Sequence, residues 1–328
     1  MSNARPSSGL IFGKSSGAAR IGALVLFTLL LALGAFSLLP DGGWLLFLVA
    51  LVFWVSAAAL TKAMATIEPA APWARRTLSI AIPLVFGLTL LVLWEFAVRG
   101  LDVPSVLLPP PSAIAATFAA STNLLWADFV QTFLKAVLAG YAIGCGAGFL
   151  TALLIDRSPF LKRGLLPIGN LVSALPIVGV APIMVMWFGF DWQSKAAVVI
   201  IMTFFPMLVN TVAGLNASGA MERDLMRTYA ASHRQTLMKL RLPAALPFIF
   251  NALKINATLA LIGAIVAEFF GTPIVGMGFR ISAEIGRMNT AMVWSEITMA
   301  AILGSLSYGL VAIIERRATF WHPSIRKG

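Results

Sequence analysis

Long apolar runs separated by short polar stretches organise this chain. Crossing the hydrocarbon core of a bilayer takes about 20 apolar residues in a helix. By that measure the pattern gives eight candidate spans, at 21–39, 44–61, 79–98, 129–155, 164–188, 195–215, 246–271 and 294–315. It therefore predicts an all-α polytopic membrane protein. The run 164–188 carries Pro167, Pro176 and Pro182, which predicts a kinked or broken helix whose freed carbonyls need neighbouring partners. The first two runs are rich in Leu, Ala, Val and Phe, hold no charge, and are joined by Pro40-Asp-Gly-Gly43. They read as a lipid-facing hairpin added to a core of six spans. The linker 62–78, with Pro69, Pro72 and two arginines, divides residues 21–77 from a larger domain, 78–328. Residues 1–20 are basic and rich in Ser, Gly and Ala, and read as a disordered cytoplasmic tail before an uncleaved first helix.

One polar stretch interrupts the apolar pattern, at 221–243. Leu225, Met226, Tyr229, Leu237 and Leu240 recur near helical spacing among charged residues, predicting a long amphipathic helix. Pro243 and Pro247 then punctuate the return to the membrane. Two uses fit such a segment on physical grounds: docking a soluble partner, or lying on anionic lipid through its basic face.

Composition agrees with a bilayer protein. Hydrophobic residues make up 59% of the 328, charged residues only 11%, and mean hydropathy is +0.90; soluble domains carry about 25% charged residues. The net charge of +11 has a membrane explanation rather than a nucleic-acid one. With the N-terminus inside, 18 of the 24 lysines and arginines flank spans on the cytoplasmic side, among them Arg75, Arg76, Arg157, Arg163, Arg316 and Arg317. Only Arg99, Lys195, Arg280 and Arg287 fall outside, with Lys135 and Lys254 inside spans. This asymmetry predicts cytoplasmic termini. The single cysteine, Cys145, excludes an internal disulfide, and His233 and His322 show no metal-ligand spacing. Gly9-Leu-Ile-Phe-Gly13-Lys14-Ser15 is one residue short of a phosphate loop. Neither a cofactor, a metal nor an enzyme active site is expected.

Several blocks carry a family resemblance. Tyr229-Ala-Ala-Ser-His-Arg-Gln235 and Leu242-Pro-Ala-Ala-Leu-Pro247 are similar to the Leu-Gly-Ala-Ser-Arg-x-Gln and Leu-Pro-Ala-Ala-Leu-Pro of ABC-importer permeases for nitrate, sulfonates, taurine and pyrimidine precursors. Aligned on Gln235 and Leu242, the family's Glu-Ala-Ala falls on Asp224-Leu225-Met226 and its glycine on Ala230, both departures. Leu107-Leu-Pro-Pro-Pro-Ser112, Ala174-Leu-Pro-Ile-Val-Gly-Val-Ala-Pro182 with Trp187-Phe-Gly189, Ile262-Gly-Ala-Ile-Val-Ala-Glu268 with Gly276-Met-Gly278, and Glu315-Arg-Arg with Trp321 follow in the family's order.

The resemblance implies a type I importer permease in a bacterial cytoplasmic (inner) membrane. Two copies would form the pore, making a homodimer. Residues 221–243 would dock on a cytoplasmic ABC ATPase dimer through Asp224, Leu225, Met226, Arg227, Tyr229, Ala230, Ser232, Arg234, Gln235, Leu242 and Pro243. ATP would be hydrolysed on that separate chain, and a periplasmic or lipid-anchored binding protein would deliver a small solute. Pyrimidine precursors or other heterocycles, sulfonates and nitrate are the implied substrate classes. The rival is a secondary transporter driven by an ion gradient, which would show paired broken helices; this sequence has one.

Polar residues inside spans usually face a cavity or a partner. Glu268, Asn251 and Asn256 are candidates for a translocation path, with the outer interface the alternative for Glu268. Lys254 is expected to snorkel toward the cytoplasm, and Lys135 and Glu95 to lie at the outer interface. Gly140, Gly144 and Gly148 leave one helix face nearly bare, which predicts close helix packing.

Overall fold

The computed structural model describes residues 12–38, 44–67, 71–173, 176–271 and 274–321, and every regular element among them is a helix. In chain order these are α1 (Phe12–Leu38), α2 (Trp44–Ala65), α3 (Pro72–Gly100), α4 (Pro111–Ala120), α5 (Thr122–Arg157), α6 (Pro159–Ser173), α7 (Ile177–Phe188), α8 (Trp192–Asn216), α9 (Ala220–Thr228), α10 (His233–Glu268), α11 (Met277–Gly286) and α12 (Thr290–Ala318). Among the described residues six helices are long and apolar enough to span: Leu45–Ala65, α3, α5, α8, α10 and α12. The run 164–188 is divided between α6 and α7, as its prolines predict. Pro176 caps α7 in an extended conformation (φ −68°, ψ 119°). The turn expected at 40–43 lies outside the described residues, as do Pro69 and residues 1–11 of the tail. Helical backbone begins at Phe12.

The chain forms two compact units, residues 1–117 and 118–328. In the first, α1, α2 and α3 pack around Leu46, Phe53 and Phe96. Leu26, Leu30 and Leu33 of α1 stay exposed, as a lipid-facing surface requires. Glu95 corrects the interfacial expectation, because its carboxylate is buried and accepts the Ser112 backbone N–H (2.9 Å) and hydroxyl (2.6 Å). That contact fixes the start of α4, and the Arg99 guanidinium donates to both Glu95 and Ser112.

In the second unit α8 is the central helix, packed against α5 on one side and α10 on another. The glycine face of α5 makes this possible. A Cβ on Gly140 would lie 2.6 Å from Cβ of Val199, one on Gly144 2.8 Å from the Ile200 carbonyl oxygen, and one on Gly148 2.5 Å from that of Phe204. Asn256 of α10 bridges the same three helices, its amide donating to the Thr203 carbonyl (2.8 Å) and the Cys145 sulfur (3.2 Å). Gly144→Ala should therefore destabilise the unit by about 1–3 kcal/mol, the usual penalty for overpacking. Thermal unfolding of the detergent-purified chain reads this as a lowered midpoint, while Gly146→Ala, which meets open space, leaves it nearly unchanged.

Candidate functional site

Polar chemistry collects at the two ends of the second unit. One end, called the basic end here, gathers the last turns of α5, α8 and α12 and the start of α10. The long amphipathic helix expected over 221–242 is instead two helices with a sharp turn. Helix α9 ends at Tyr229 in a Schellman motif: the Ala230 N–H donates to the Arg227 carbonyl and the Ala231 N–H to that of Met226, both at 2.9 Å. Ala230 adopts φ +51°, the left-handed conformation that disfavours any Cβ. The family's glycine at this position thus has a backbone reason, and this chain tolerates alanine there. Ser232 and Gln235 then form a capping box, with the Ser232 N–H donating to the Gln235 side-chain oxygen (2.7 Å) and the Gln235 N–H to the Ser232 hydroxyl (3.3 Å).

The second half of the polar stretch continues unbroken into the membrane as α10. Pro243 and Pro247 lie inside that helix rather than ending it. Winding widens to i→i+5 over Leu237–Arg241; Pro243, just beyond, would otherwise crowd the carbonyl four residues back. Arg241 anchors the segment. Its Nη atoms donate to both carboxylate oxygens of Asp156 (2.6 and 2.7 Å) and its Nε to the Leu215 carbonyl (2.9 Å), tying α10 to the ends of α5 and α8. Lys254, expected to reach toward this end, pairs with Glu315 near the end of α12 at 2.7 Å.

Of the expected docking residues, Asp224, Leu225, Arg227, Tyr229, Ala230, Ser232, Arg234 and Gln235 are exposed and Met226, Leu242 and Pro243 half-buried. Leu242 packs inward beside Leu237. The exposed set includes large apolar groups, with Met221 85% and Tyr229 77% exposed. The Asp224–Arg227 pair is weak at 3.4 Å in solvent.

At the far end, three side chains cap the start of α11. The N-cap residue Gly276 has no side chain to offer, so the first N–H groups of α11 turn to other helices. Gly276 N–H donates to Asp128 (2.6 Å), Met277 N–H to the Thr132 hydroxyl (2.8 Å) and Gly278 N–H to Glu268 (2.7 Å). Thr132 in turn donates to the other Glu268 oxygen at 2.8 Å. Arg280 pairs with Asp128 at 2.8 Å. Negative groups at a helix N-terminus also face the favourable end of its dipole. The glycines are needed: Gly276 has φ +139°, and a Cβ there would lie 2.7 Å from Glu268 Oε1.

Nearby, buried Lys195 donates to the carbonyls of Phe190 (2.6 Å) and Gly271. An open cavity of about 800 Å³ is lined by Gln131, Lys135, Phe190, Asp191 and Val275. There Lys135 donates to Gln131, and Gln131 to Asp191. That amide and the Trp192 N–H hold the Asp191 carboxyl below its ordinary range. The stabilisation it brings as N-cap of α8 is present at neutral pH and lost as pH falls through its folded value.

The candidate path residues are not brought together. Asn251 is exposed, Asn256 is buried between α5 and α8, and Glu268 is buried at the far end. Sequence reading missed Asp156, Asp128 and Thr132. A lone acid beside Arg157 in the last turn of a span opposes the helix dipole, and an acid and a hydroxyl at i and i+4 share a helix face. Those were the available signals.

A multi-pass helical protein with an exposed polar helix pair at one end and a cluster of buried, hydrogen-bonded polar groups at the other has the architecture of an integral membrane component. The chain belongs to the family of binding-protein-dependent transport system inner membrane components, which matches residues 144–320. It is 30% identical over 247 residues to the formylaminopyrimidine transport permease protein ThiX of Halalkalibacterium halodurans, covering 75% of this chain and 98% of that protein. It is 29% identical over 248 residues to the riboflavin transport system permease protein RibX of Chloroflexus aurantiacus, covering 75% and 91%. A solved structure of the MetNI methionine ABC transporter aligns with a TM-score of 0.49 at 19% identity, over 60% of this chain and 95% of that one.

Two outcomes follow from the geometry. Glu268→Ala orphans the Gly278 N–H and should cost about 1–3 kcal/mol, whereas Glu268→Gln retains an acceptor and should cost less; paired thermal unfolding curves rank them. Ala230→Gly should tighten the α9 turn by about 0.5–1 kcal/mol, read as slower amide exchange at Ala231.

Proposed function

We propose that this chain is the pore-forming permease subunit of an ATP-driven importer, working as a homodimer, with residues 221–243 docking on a cytoplasmic ABC ATPase dimer. The observation that carries the docking assignment is the set of exposed apolar groups on α9 and the start of α10, Met221, Leu225, Tyr229 and Met238. A loop serving only as a connection has no need of them, and the Asp156–Arg241 anchor makes the segment stiff enough to transmit force. The positive-inside asymmetry supports placing the basic end and both termini in the cytoplasm of a bacterial inner membrane. The far end then faces a periplasmic or lipid-anchored binding protein.

ATP binding shifts the pore between two states only if the ATPase holds the docking segment differently in each. Arg241 links that segment to α5 and α8, so displacement of α9 carries the inner ends of three spanning helices. Asp224, Arg227, Arg234, Leu225 and Tyr229 are the contact residues in this reading. Ser232, Gln235 and Ala230 act through the shape of the turn, and Leu242 and Pro243 through its seat on the bundle. Hydrolysis takes place on the partner chain.

The names of the two relatives favour a heterocyclic solute for this chain, with sulfonate and nitrate classes beside it. The family match lies toward the C-terminus, and ThiX aligns over nearly its whole length with three quarters of this chain. Both support residues 78–328 as the permease domain and 21–77 as an added hairpin. Uptake driven by an ion gradient without ATP would instead favour the secondary transporter.

The test is co-purification and uptake with the double substitution Leu225→Asp, Tyr229→Asp. Both positions are exposed, so the fold should survive. The expected result is loss of the stoichiometric ATPase from the purified complex and at least a tenfold fall in ATP-driven uptake at normal expression. Undiminished ATPase recovery and uptake would remove the docking assignment.

A further inference from the structure

Docking on an ATPase makes no use of the open cavity of about 800 Å³ at the far end. Its size falls within that of small-molecule sites, about 300–1,000 Å³, which pair apolar walls with a few fixed polar groups. Here Val130, Phe190 and Val275 are apolar, and Gln131, Lys135 and Asp191 supply the polar groups. The widened winding of α5 over Val130–Val137 carries both Gln131 and Lys135, and such turns recur at functional sites.

The three polar groups form a ladder. Lys135 Nζ donates to the side-chain oxygen of buried Gln131 (3.0 Å), and the Gln131 amide donates to Asp191 Oδ1 (2.8 Å). Among the described residues, Lys135 and Asp191 are joined only through that amide. Each keeps hydrogen-bonding capacity. The ammonium has three N–H groups and gives one to Gln131. Asp191 Oδ1 also takes the Trp192 N–H, so Oδ2 has no donor among the described residues.

The aromatic wall is fixed from behind. Buried Lys195 donates to the carbonyls of Phe190 and Gly271, joining two connecting segments. Gly271 has φ +149°, and a Cβ there would lie 2.8 Å from the Phe190 ring, so the ring rests on bare backbone. The Phe190 residue is nevertheless 67% exposed. A held but uncovered ring offers a face for stacking.

We propose that this cavity binds the transported solute, and that the solute is a planar heterocycle, uncharged overall, with an amino donor at one edge and an acceptor at another. The ring stacks on Phe190, the amino group donates to Asp191 Oδ2, and Lys135 donates to the acceptor. Gln131 sets the spacing between them. A free anion fits poorly, because Asp191 offsets the attraction of Lys135 on the same wall. That the bound molecule is the transported one rests on the permease reading; the site itself does not.

Saturation-transfer NMR of the full chain in detergent, with cytosine as the probe, tests the site without an ATPase. Cytosine should bind saturably and about tenfold more tightly than pyrimidin-2-one, which lacks the amino group. Taurine, with opposite charges but no ring, should compete poorly. Phe190→Ala and Lys135→Met should each weaken cytosine binding about tenfold. Asp191→Asn keeps an N-cap for α8; it should narrow the preference over pyrimidin-2-one and let nitrate compete, as it does not in the wild type. Absence of saturable cytosine binding, equal binding of taurine, or unchanged binding in all three variants overturns the proposal. So does binding that survives in phosphatidylglycerol nanodiscs and vanishes in phosphatidylethanolamine ones, which assigns the cavity to a zwitterionic headgroup. ATPase recovery and ATP-driven uptake without cytosine binding would remove the site alone, and cytosine binding without ATP-driven uptake would remove the permease reading instead.

Discussion

Helix α11 begins where no local side chain can cap it, and the second unit is arranged around that need. A lipid environment offers no water to unsatisfied backbone groups. The N–H groups of Gly276, Met277 and Gly278 therefore recruit Asp128 and Thr132 from α5 and Glu268 from α10. Meeting that demand fixes several things together. The end of α10 must come within hydrogen-bonding distance of the second and third turns of α5. Residues 276 and 278 must be glycine for Glu268 to fit between them. Winding of α5 widens to i→i+5 over Val130–Val137, the turns that carry Gln131, Thr132 and Lys135. Such widened turns recur at functional sites because they redirect side chains without ending the helix.

Both partners in that arrangement run the length of the bundle. α5 and α10 are each 36 residues long, and they meet again at the basic end through Asp156 and Arg241. Between these two meeting points the glycine face of α5 sits on the backbone of α8, leaving little room for one helix to slide on another. Close-packed interiors switch between discrete arrangements rather than deforming smoothly. In the proposed reading, a displacement at the turn between α9 and α10 would reach the far end through helices held at both ends. The turn itself is held by a Schellman motif at the end of α9 and a capping box at the start of α10.

The sequence carried the membrane architecture because hydrophobic length is a one-dimensional property. Runs of apolar residues, the prolines of 164–188 and the asymmetry of lysine and arginine can each be read without knowing what touches what. The glycine spacing of α5 was legible for the same reason, since a bare face at every fourth residue has few uses other than close approach. The polar segment 221–243 was visible as an interruption of the apolar pattern, but its shape was not. Whether Ser232 caps a helix or meets a partner depends on φ and ψ at Ala230, and a left-handed alanine leaves no signature in composition.

What tertiary structure alone decided was the partnership of polar groups. Lys254 and Glu315, Arg241 and Asp156, Asp128 and Arg280 are separated by 61, 85 and 152 positions, and their pairing depends on which helices become neighbours. Glu95 and Glu268 read as interfacial or path-lining groups from position alone. Both are buried, because a backbone N–H and a hydroxyl elsewhere in the chain needed an acceptor. Hydrophobic burial is nearly additive along the sequence, so the spans and their order are written there. Hydrogen bonding is directional and pairwise, so the sites emerge only once the helices have packed.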